Sequence, residues 1–170
     1  MTWQNKRIAV IGAGAGGLLA AVTAADLGAS VILFEKMGKI GLKMGITGKG
    51  RCNLTNSAPI MDFIAKTPGN GKFLYSAYRN FSNEDLLNKL HGWGLATKEE
   101  RGGRIFPASD DAQEVRRLFL RLLKEKKVHL CLEDNGDFAV EDILRHFEAH
   151  AELRIALLAH GGAEAAYLVA

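Results

Sequence analysis

A glycine-rich turn between two apolar runs constrains this chain more than any other feature. Residues 7–11, RIAVI, are apolar and rich in β-branched residues, as expected of a buried parallel strand. The turn GAGAGG at 12–17 follows at once, and the helix formers after it end at Gly28, a residue suited to a helix C-terminus. Residues 31–35, VILFE, predict a second strand that ends in an acid. The pattern predicts a right-handed β-α-β unit and therefore an α/β fold with a parallel sheet.

The spacing of the turn is that of a dinucleotide-binding fingerprint. G-x-G-x-x-G permits a tight turn, lets a pyrophosphate approach the backbone, and allows the helix to pack closely on the strand. The helix N-terminus offers N–H groups and a partial positive charge to the phosphates. Glu35, eighteen residues beyond Gly17, can accept both ribose hydroxyls and would repel the 2′-phosphate of NADP. The binding residues predicted here are Gly12, Ala13, Gly14, Ala15, Gly16, Gly17 and Glu35.

The fingerprint does not distinguish FAD from NAD as the bound cofactor. The long segment 36–60 helps to distinguish them. A simple NAD domain continues soon into a helix, whereas this segment is rich in glycine, and from residue 36 to residue 51 it carries five cations and no acid. Lys43 and Arg51 could neutralise a pyrophosphate or another anion, and the Gly48–Gly50 backbone could lie against a ring. Asn53 could offer its amide to a polar ring edge such as that of isoalloxazine. The alternative for this loop is a solvated cationic surface.

Several other classes of function are excluded or disfavoured by the sequence. Gly48-Lys49 is followed by Gly50, so the loop is not a Walker A motif, which requires Ser or Thr at that position. A net charge of +3 is too small to imply nucleic acid, and the cationic loop lacks interleaved aromatic residues. Cys52 and Cys131 are too far apart in sequence to indicate a disulfide framework or a zinc site. We predict no metal site and name no catalytic residue.

Three segments carry a family resemblance: AVIGAGAGGLLAAVTAADLGASVILFEKMGKIGLKMGITGKGRCNLTN, GKFLYSAYRNFSNEDLL and KEERGGRIFPASDDAQEV. They resemble the N-terminal part of the BaiN/YhiN-type flavoproteins, which are NAD(P)/FAD-dependent oxidoreductases or aminoacetone-oxidase-like FAD-binding enzymes. The resemblance covers residues 5–132. It implies a glutathione-reductase-like Rossmann domain with bound FAD, and NAD(P)H is the candidate reductant.

The resemblance also assigns expected roles to individual residues. Gly12, Gly14, Gly17 and Glu35 would hold the ADP half of FAD. The residues expected to lie toward the ribityl chain and flavin are Lys43, Gly50, Arg51, Cys52 and Asn53. Lys36, which follows Glu35, completes the predicted cofactor-binding set. For Cys52 we expect packing beside the cofactor rather than a catalytic thiol, because no second cysteine is close in sequence.

After residue 132 the sequence departs from that family pattern, which implies a truncated chain. We therefore expect a single, partial FAD-binding domain over 1–170, with 36–60 as its cofactor loop and a divergent segment at 133–170. A second chain is a candidate for completing the fold. The expected partner is a small-molecule substrate, with no nucleic acid and no membrane, in the cytoplasm, because no signal peptide or long apolar run is present. The alternative is a non-catalytic dinucleotide-binding or interaction module.

The remaining elements are predicted from periodicity and capping signals. An apolar face at Phe73, Leu74, Ala77 and Phe81 predicts a helix from residue 71 onward. The further predictions are a helix capped by Ser82 and Asp85, two short strands in 95–107, a helix capped by Asp110 and Gln113 that runs to about residue 126, a strand at 128–133, a strand at 136–140, a helix at 141–150 and a buried strand at 153–159.

Overall fold

The computed structural model describes residues 3–4, 6–132, 155–156 and 168–169 of the 170-residue chain. The strands are β1 (Arg7–Ile11), β2 (Ser30–Glu35), β3 (Thr55–Asn56), β4 (Thr97–Glu100), β5 (Arg104–Pro107), β6 (His129–Leu132), β7 (Ile155–Ala156) and β8 (Leu168–Val169). The α-helices are α1 (Ala15–Asp26), α2 (Leu42–Ile46), α3 (Ile60–Lys66), α4 (Tyr75–Asn80), α5 (Asn83–Gly92) and α6 (Ala112–Glu125), and Thr47–Lys49 and Gly71–Leu74 are short 3₁₀ helices.

The chain divides into two compact units. The first unit comprises Met1–Met44 and Phe119–Ala170, and the second comprises Gly45–Leu118. The sequence predicts one partial domain over 1–170, and the residues of its predicted cofactor loop, 36–60, belong partly to each unit. Each unit is described separately below.

The first unit is built on a parallel sheet of three strands in the order β1-β2-β6. Val10 pairs with Leu33, and Leu33 pairs with Leu130, which makes β2 the central strand. β1 is buried from Ile8 to Val10, and Leu33 and Phe34 of β2 are buried as well. Strands buried on both faces read as continuous apolar runs, so the sequence predicted these two strands and their parallel arrangement correctly.

The helix between these strands also forms as predicted. The buried residues of α1 are Gly17, Leu18, Ala21 and Val22, which recur at helical spacing. Gly28 has a φ of +91°, and its N–H donates to the carbonyl of Ala25 at 3.0 Å. A left-handed glycine at this position satisfies the last carbonyls of a helix without a steric penalty. The β-α-β unit and the Rossmann-type fold are therefore confirmed.

The second unit contains an antiparallel sheet in the order β3-β5-β4. Ile105 pairs with Thr55 on one side and with Glu99 on the other. Gly102 and Gly103 adopt φ values of +80° and +75° in the turn that joins β4 to β5. The sequence predicted this pair of strands around the glycines, but it did not predict β3.

The capping prediction is confirmed for α5. The hydroxyl of Ser82 accepts from the N–H of Asp85 at 3.1 Å, and the carboxylate of Asp85 accepts from the N–H of Ser82 at 2.8 Å. Both groups thereby satisfy N–H groups that a helix start would otherwise leave without partners.

The capping prediction for α6 is wrong by one residue. Asp110 has a φ of +57° and bonds to cationic side chains instead. The carboxylate of Asp111 accepts from the N–H of Gln113 at 2.8 Å and fills the capping role. The predicted apolar face of the helix is correct, since its members are all buried: Val115, Leu118, Phe119 and Leu122.

The segments 36–60 and 71–81 differ from their predictions. The first contains α2, a 3₁₀ turn and β3 rather than an irregular loop. The second changes from a 3₁₀ helix to α4 after Leu74, and Phe73 is 80% exposed. The two helix types have different residues per turn, so an apolar face drawn for a single α-helix is not maintained across the junction. The predicted burial of Phe73 is therefore wrong.

The last part of the chain is described only at two short strands. β7 pairs with β8 in antiparallel fashion, so a strand is present within the predicted range 153–159. The predicted strand at 136–140 and helix at 141–150 lie outside the described residues. Within the described part of the chain, no helix is long and apolar enough to cross a membrane.

We predict that Ser82→Ala lowers the free energy of unfolding by about 1 kcal/mol, because it removes the acceptor for the N–H of Asp85. Urea denaturation of the variant measures this loss. Ser76→Ala is the matched control, since Ser76 is exposed within α4 and does not cap it. Equal stabilities of the two variants would contradict the assigned cap.

Candidate functional site

The glycine turn of the first unit is held in place by backbone hydrogen bonds from two directions. The N–H of Gly12 donates to the carbonyl of Phe34 at 2.7 Å, and the N–H of Gly41 donates to the carbonyl of Ala13 at 2.8 Å. Gly12 has a φ of +92°, which an L-residue adopts only with strain. The tight turn predicted at Gly12 is therefore present.

The start of α1 is open to a ligand. Gly14 is the N-cap, with an extended backbone at φ −78°, and no described side chain caps the helix there. The first turn of α1 also contains no acidic residue. A Cβ added at Gly14 would have no heavy atom within 4 Å, so the backbone faces open space. N–H groups at a helix start without a cap are suited to an anion.

Glu35 is joined to the turn by a hydrogen bond that the sequence analysis missed. Its Oε2 accepts from the N–H of Ala13 at 2.6 Å, and its Oε1 accepts from the N–H of Met37 at 3.0 Å. A carboxylate has about four acceptor sites, so two sites stay available for hydroxyl donors. The end of β2 and the turn after β1 are therefore coupled directly through this side chain.

Lys36 and Lys43 also lie in the first unit, and both side chains are exposed. Their predicted roles in cofactor binding stay predictions. The other predicted site residues, Gly50, Arg51, Cys52 and Asn53, belong to the second unit.

In the second unit, Thr47 organises the turn Thr47–Asn53. Its carbonyl accepts from the N–H groups of Gly50 and Cys52 at 3.2 and 3.1 Å, and its hydroxyl accepts from the N–H of Asn53 at 3.2 Å. The turn contains four residues with left-handed φ values, which are Gly48 (+58°), Lys49 (+61°), Gly50 (+88°) and Cys52 (+65°). This part of the predicted cofactor loop is thus a turn with defined internal bonds.

Arg51 lies between two carboxylates and an aromatic ring. Its Nη1 donates to Oε1 of Glu100 at 2.7 Å and to Oδ1 of Asp110 at 3.4 Å. Its guanidinium carbon lies 4.2 Å from the centre of the Phe106 ring. The hydrogen bond to Glu100 raises the pKa of Arg51, so the guanidinium stays charged. The sequence offered no local signal for these partners, which are distant along the chain.

The turn contacts Phe106 a second time through Gly48. A Cβ added at Gly48 would lie 2.5 Å from Cε1 of Phe106, which is 1% exposed. The Nε of Arg51 donates to the carbonyl of Gly48 at 3.1 Å. Gly48 is therefore required by packing as well as by its backbone conformation.

The two described cysteines have separate surroundings. Cys52 is 2% exposed, and burial raises the pKa of its thiol, although a hydrogen bond with Thr47 opposes the shift. Cys131 packs against Ala9 and Phe34 in the first unit, where burial also raises the pKa of its thiol. A thiol held in its protonated form is a poor nucleophile, which favours the predicted packing role of Cys52 over a catalytic one.

The parallel strands, the glycine turn and the helix that begins at it define this chain as a Rossmann-type domain. The chain belongs to the HI0933-like protein Rossmann domain family, whose model matches residues 6–167. This is an FAD-binding family, and its members are flavoprotein oxidoreductases. The match extends past residue 132, where the sequence resemblance described above ends.

The chain is similar to several characterised proteins. It is 40% identical over 127 residues to the 3-dehydro-bile acid delta(4,6)-reductase of Clostridium scindens. The aligned residues cover 74% of this chain and 30% of the relative. It is 35% identical over 104 residues to the ribosomal RNA dihydrouridine synthase of Haemophilus influenzae. The aligned residues cover 61% of this chain and 25% of that relative. The chain thus spans less than a third of the length of these relatives.

A solved structure supports the fold alone. The crystal structure of Thermovibrio ammonificans THI4 aligns with a TM-score of 0.50 and 16% identity, over 75% of this chain and 38% of that protein. At this identity the alignment concerns the architecture of the domain and not its ligand.

We predict a graded response to alanine at three glycines. Gly92→Ala should not lower stability, because the site is the open end of α5. Gly50→Ala should cost about 1–2 kcal/mol for its left-handed backbone, which has no nearby atoms. Gly48→Ala should cost more, since the overlap with Phe106 adds about 1–3 kcal/mol. Denaturation midpoints measure the order, and equal losses at Gly48 and Gly50 would contradict the contact with Phe106.

We also predict that Asp110 makes stability depend on pH. Its hydrogen bond with Lys98 is the main cause that lowers the pKa of Asp110, and the charge of Arg51 adds to it. A lowered folded-state pKa stabilises the fold above the unfolded value of about 3.9 and loses that effect as the pH falls through the folded pKa. Asp110→Asn should therefore be less stable than the wild type at pH 7, and the difference should shrink in acid.

Urea denaturation at a series of pH values measures this effect. Asparagine tolerates the left-handed backbone at this position, so the substitution removes mainly the charge. Asp62→Asn is the control, because the carboxylate of Asp62 has no ion-pair partner among the described residues. A pH-independent difference between Asp110→Asn and the wild type would refute the assignment.

Proposed function

We propose that this chain binds FAD through its glycine turn and Glu35, as the cofactor-binding portion of a flavoprotein oxidoreductase. The observation that carries the proposal is the open space at Gly14 beside a helix start that no described side chain caps. Membership of an FAD-binding family supports the choice of FAD over NAD.

In this proposal the backbone binds the diphosphate. The first N–H groups of α1 donate to the phosphate oxygens, and the partial positive charge of the helix start opposes their negative charge. Gly14 lets the phosphates approach, because a side chain there would occupy the space that they need. Ala15 and Gly16 contribute only through their backbone, which agrees with their small size. Ala13 contributes indirectly, because its N–H donates to Glu35 and orients that carboxylate.

Glu35 has two tasks in the proposed site. Its existing bonds from Ala13 and Met37 fix the orientation of the carboxylate. Its remaining acceptor sites receive the two ribose hydroxyls of the adenosine. A 2′-phosphate would meet the negative charge of the carboxylate, so the site discriminates against NADP.

FAD, when bound, supplies the redox chemistry that protein side chains lack. The described residues of this chain bind and orient that cofactor, and we assign no catalytic residue among them. The substrate is proposed to be a small molecule, since the bile-acid reductase covers more of this chain, at higher identity, than the RNA synthase does. NAD(P)H as reductant, a second chain that completes the fold and a cytoplasmic location stay predictions of the sequence.

The second candidate function is a non-catalytic dinucleotide-binding module. The glycine turn supports this candidate as well as it supports an FAD-binding oxidoreductase, because the ADP moiety is common to FAD and NAD. The two candidates differ in whether the protein distinguishes FAD from ADP. An FAD-binding portion should bind FAD more tightly than ADP, whereas a module that recognises only the ADP moiety should bind both alike.

We predict that Gly14→Ala weakens the binding of FAD and of ADP by about tenfold or more, because the methyl group occupies the proposed phosphate site. The free energy of unfolding of the unliganded protein should change by less than about 1 kcal/mol, since alanine tolerates this backbone and meets no atom. Isothermal titration calorimetry and urea denaturation measure the two quantities.

Gly92→Ala is the matched control, with a similarly open site far along the chain from the turn. It should leave both affinities unchanged. Unchanged affinity in Gly14→Ala would refute the proposed phosphate site. Glu35 is a less clean test, because its replacement also disrupts the bond to Ala13.

A further inference from the structure

We propose that Gly41 is a positioning residue of the proposed phosphate site. Its N–H holds the peptide group between Ala13 and Gly14 and thereby sets the direction in which the N–H of Gly14 donates. All three residues belong to the first unit. For the identity of the ligand this role rests on the function proposed above. Neither the glycine fingerprint nor the family resemblance assigns a role to Gly41.

Ala13 is held on both sides by the segment that follows β2. Its N–H donates to Oε2 of Glu35 at 2.6 Å, and its carbonyl accepts from the N–H of Gly41 at 2.8 Å. Ala13 has no exposed surface, so water is not a ready substitute for either partner. Glu35 therefore fixes the peptide group before Ala13, and Gly41 fixes the peptide group after it.

The bond from Gly41 orients the N–H of Gly14 because the two groups share one peptide plane. A trans peptide is planar, so its C=O and N–H point in opposite directions. The carbonyl of Ala13 is directed at Gly41, and the N–H of Gly14 therefore points away from Gly41. Among the described residues, no atom accepts from this N–H.

The next peptide group is anchored as well. The carbonyl of Gly14 accepts from the N–H of Leu18 at 2.9 Å, which is the first bond of α1. The N–H of Gly14 thus lies between two fixed peptide groups, beside the open space at its own Cα. It adds a donor of set direction to the N–H groups of the helix start, which suits an anion.

Gly41 is itself fixed without the help of a ligand. Gly41 and Ile40 are both buried, and Ile40 is only 1% exposed. At the start of the same segment, the N–H of Met37 donates to Oε1 of Glu35 at 3.0 Å. Residues 37–41 are therefore tied to the glycine turn at both ends. Gly41 has a φ of +63°, which favours glycine at this position.

A fixed N–H should favour a phosphate over the rest of the nucleotide. Donors that already point at the ligand need no reordering when it binds, whereas a tilted N–H makes a weaker hydrogen bond. Loss of the Gly41 bond should therefore weaken the binding of ADP. Adenosine lacks the phosphates, so its affinity should be insensitive to the direction of this N–H.

The deciding experiment places glycolic acid at position 41 by cell-free translation, which replaces the N–H by an ester oxygen and adds no side chain. Glycolic acid at position 28 is the matched control. The N–H of Gly28 donates to the carbonyl of Ala25 at 3.0 Å in the same unit, and Gly28 also has a left-handed backbone. Each ester thus loses one backbone hydrogen bond at a left-handed glycine.

Three measurements separate positioning from a loss of stability. The residual dipolar coupling of the Gly14 N–H reports its direction in the unliganded protein, calorimetry reports the affinity for ADP, and an NMR titration reports the affinity for adenosine. We expect the ester at 41 to change the coupling and to weaken ADP binding by about fivefold or more. Its affinity for adenosine should stay within about twofold of the wild type. The ester at 28 should leave all three quantities unchanged.

Four results would overturn the proposal. They are an unchanged coupling of Gly14 in the ester at 41, an unchanged ADP affinity where the coupling has changed, an equal loss of ADP affinity in the two esters, and an equal loss of adenosine and ADP affinity. If the wild type binds neither ADP nor FAD, the proposed function fails, and the coupling still decides whether Gly41 orients the N–H of Gly14.

A second pair of variants covers an ester that does not fold. Gly41→Ala and Gly28→Ala each put a methyl group on a left-handed backbone, so both should lose stability. Only Gly41→Ala strains the residue that donates to Ala13, and only this variant should change the coupling of Gly14 and weaken ADP binding. Equal effects of the two substitutions on ADP binding would also refute the assignment.

Discussion

The hydrogen bond from the N–H of Ala13 to the carboxylate of Glu35 is the interaction on which the proposed site depends. It joins the end of β2 to the turn after β1, at 2.6 Å. The parallel pairing of these strands brings both ends to the same edge of the sheet, where ligands of α/β folds bind. The side chain that we propose to recognise the ribose is thereby fixed by the same turn that is proposed to present N–H groups to the phosphates. The proposed phosphate-binding turn and the proposed ribose-binding carboxylate are therefore joined by one hydrogen bond.

The sequence predicted those parts of the structure that depend on local pattern. β1, α1 and β2 follow from apolar runs and glycine spacing, and the Ser82–Asp85 cap follows from a three-residue interval. Contacts between distant residues were missed, because nothing in the neighbourhood of Arg51 signals partners 49 and 59 residues away. The α6 cap was misplaced for the same reason, since the partners of Asp110, Arg51 and Lys98, lie outside the helix and gave no signal near the cap.

The glycines of this chain illustrate why residue type alone gives incomplete information about a site. Gly14 faces open space and has an ordinary backbone, so the fold does not require glycine there. Gly48 is required twice, by its left-handed φ and by the ring of Phe106. A glycine that the fold does not need is the better indicator of a ligand, which is why the proposed phosphate site rests on Gly14. Gly48 and its neighbours indicate instead a turn whose shape the second unit maintains.

The cations of residues 36–51 have the same ambiguity, and the contacts of Arg51 show it for one of them. In the proposed site a diphosphate is met by backbone N–H groups and by the helix start, which carries about half a positive charge. This source of positive potential needs no side chain, so a cation in a nearby sequence segment is not by itself a phosphate ligand. Arg51 pairs with Glu100 and Asp110 and donates to the carbonyl of Gly48, so a residue in a strongly cationic segment can serve the shape of a turn. The binding of ADP should accordingly depend on the turn at Gly12–Gly17, whose backbone supplies the proposed phosphate donors.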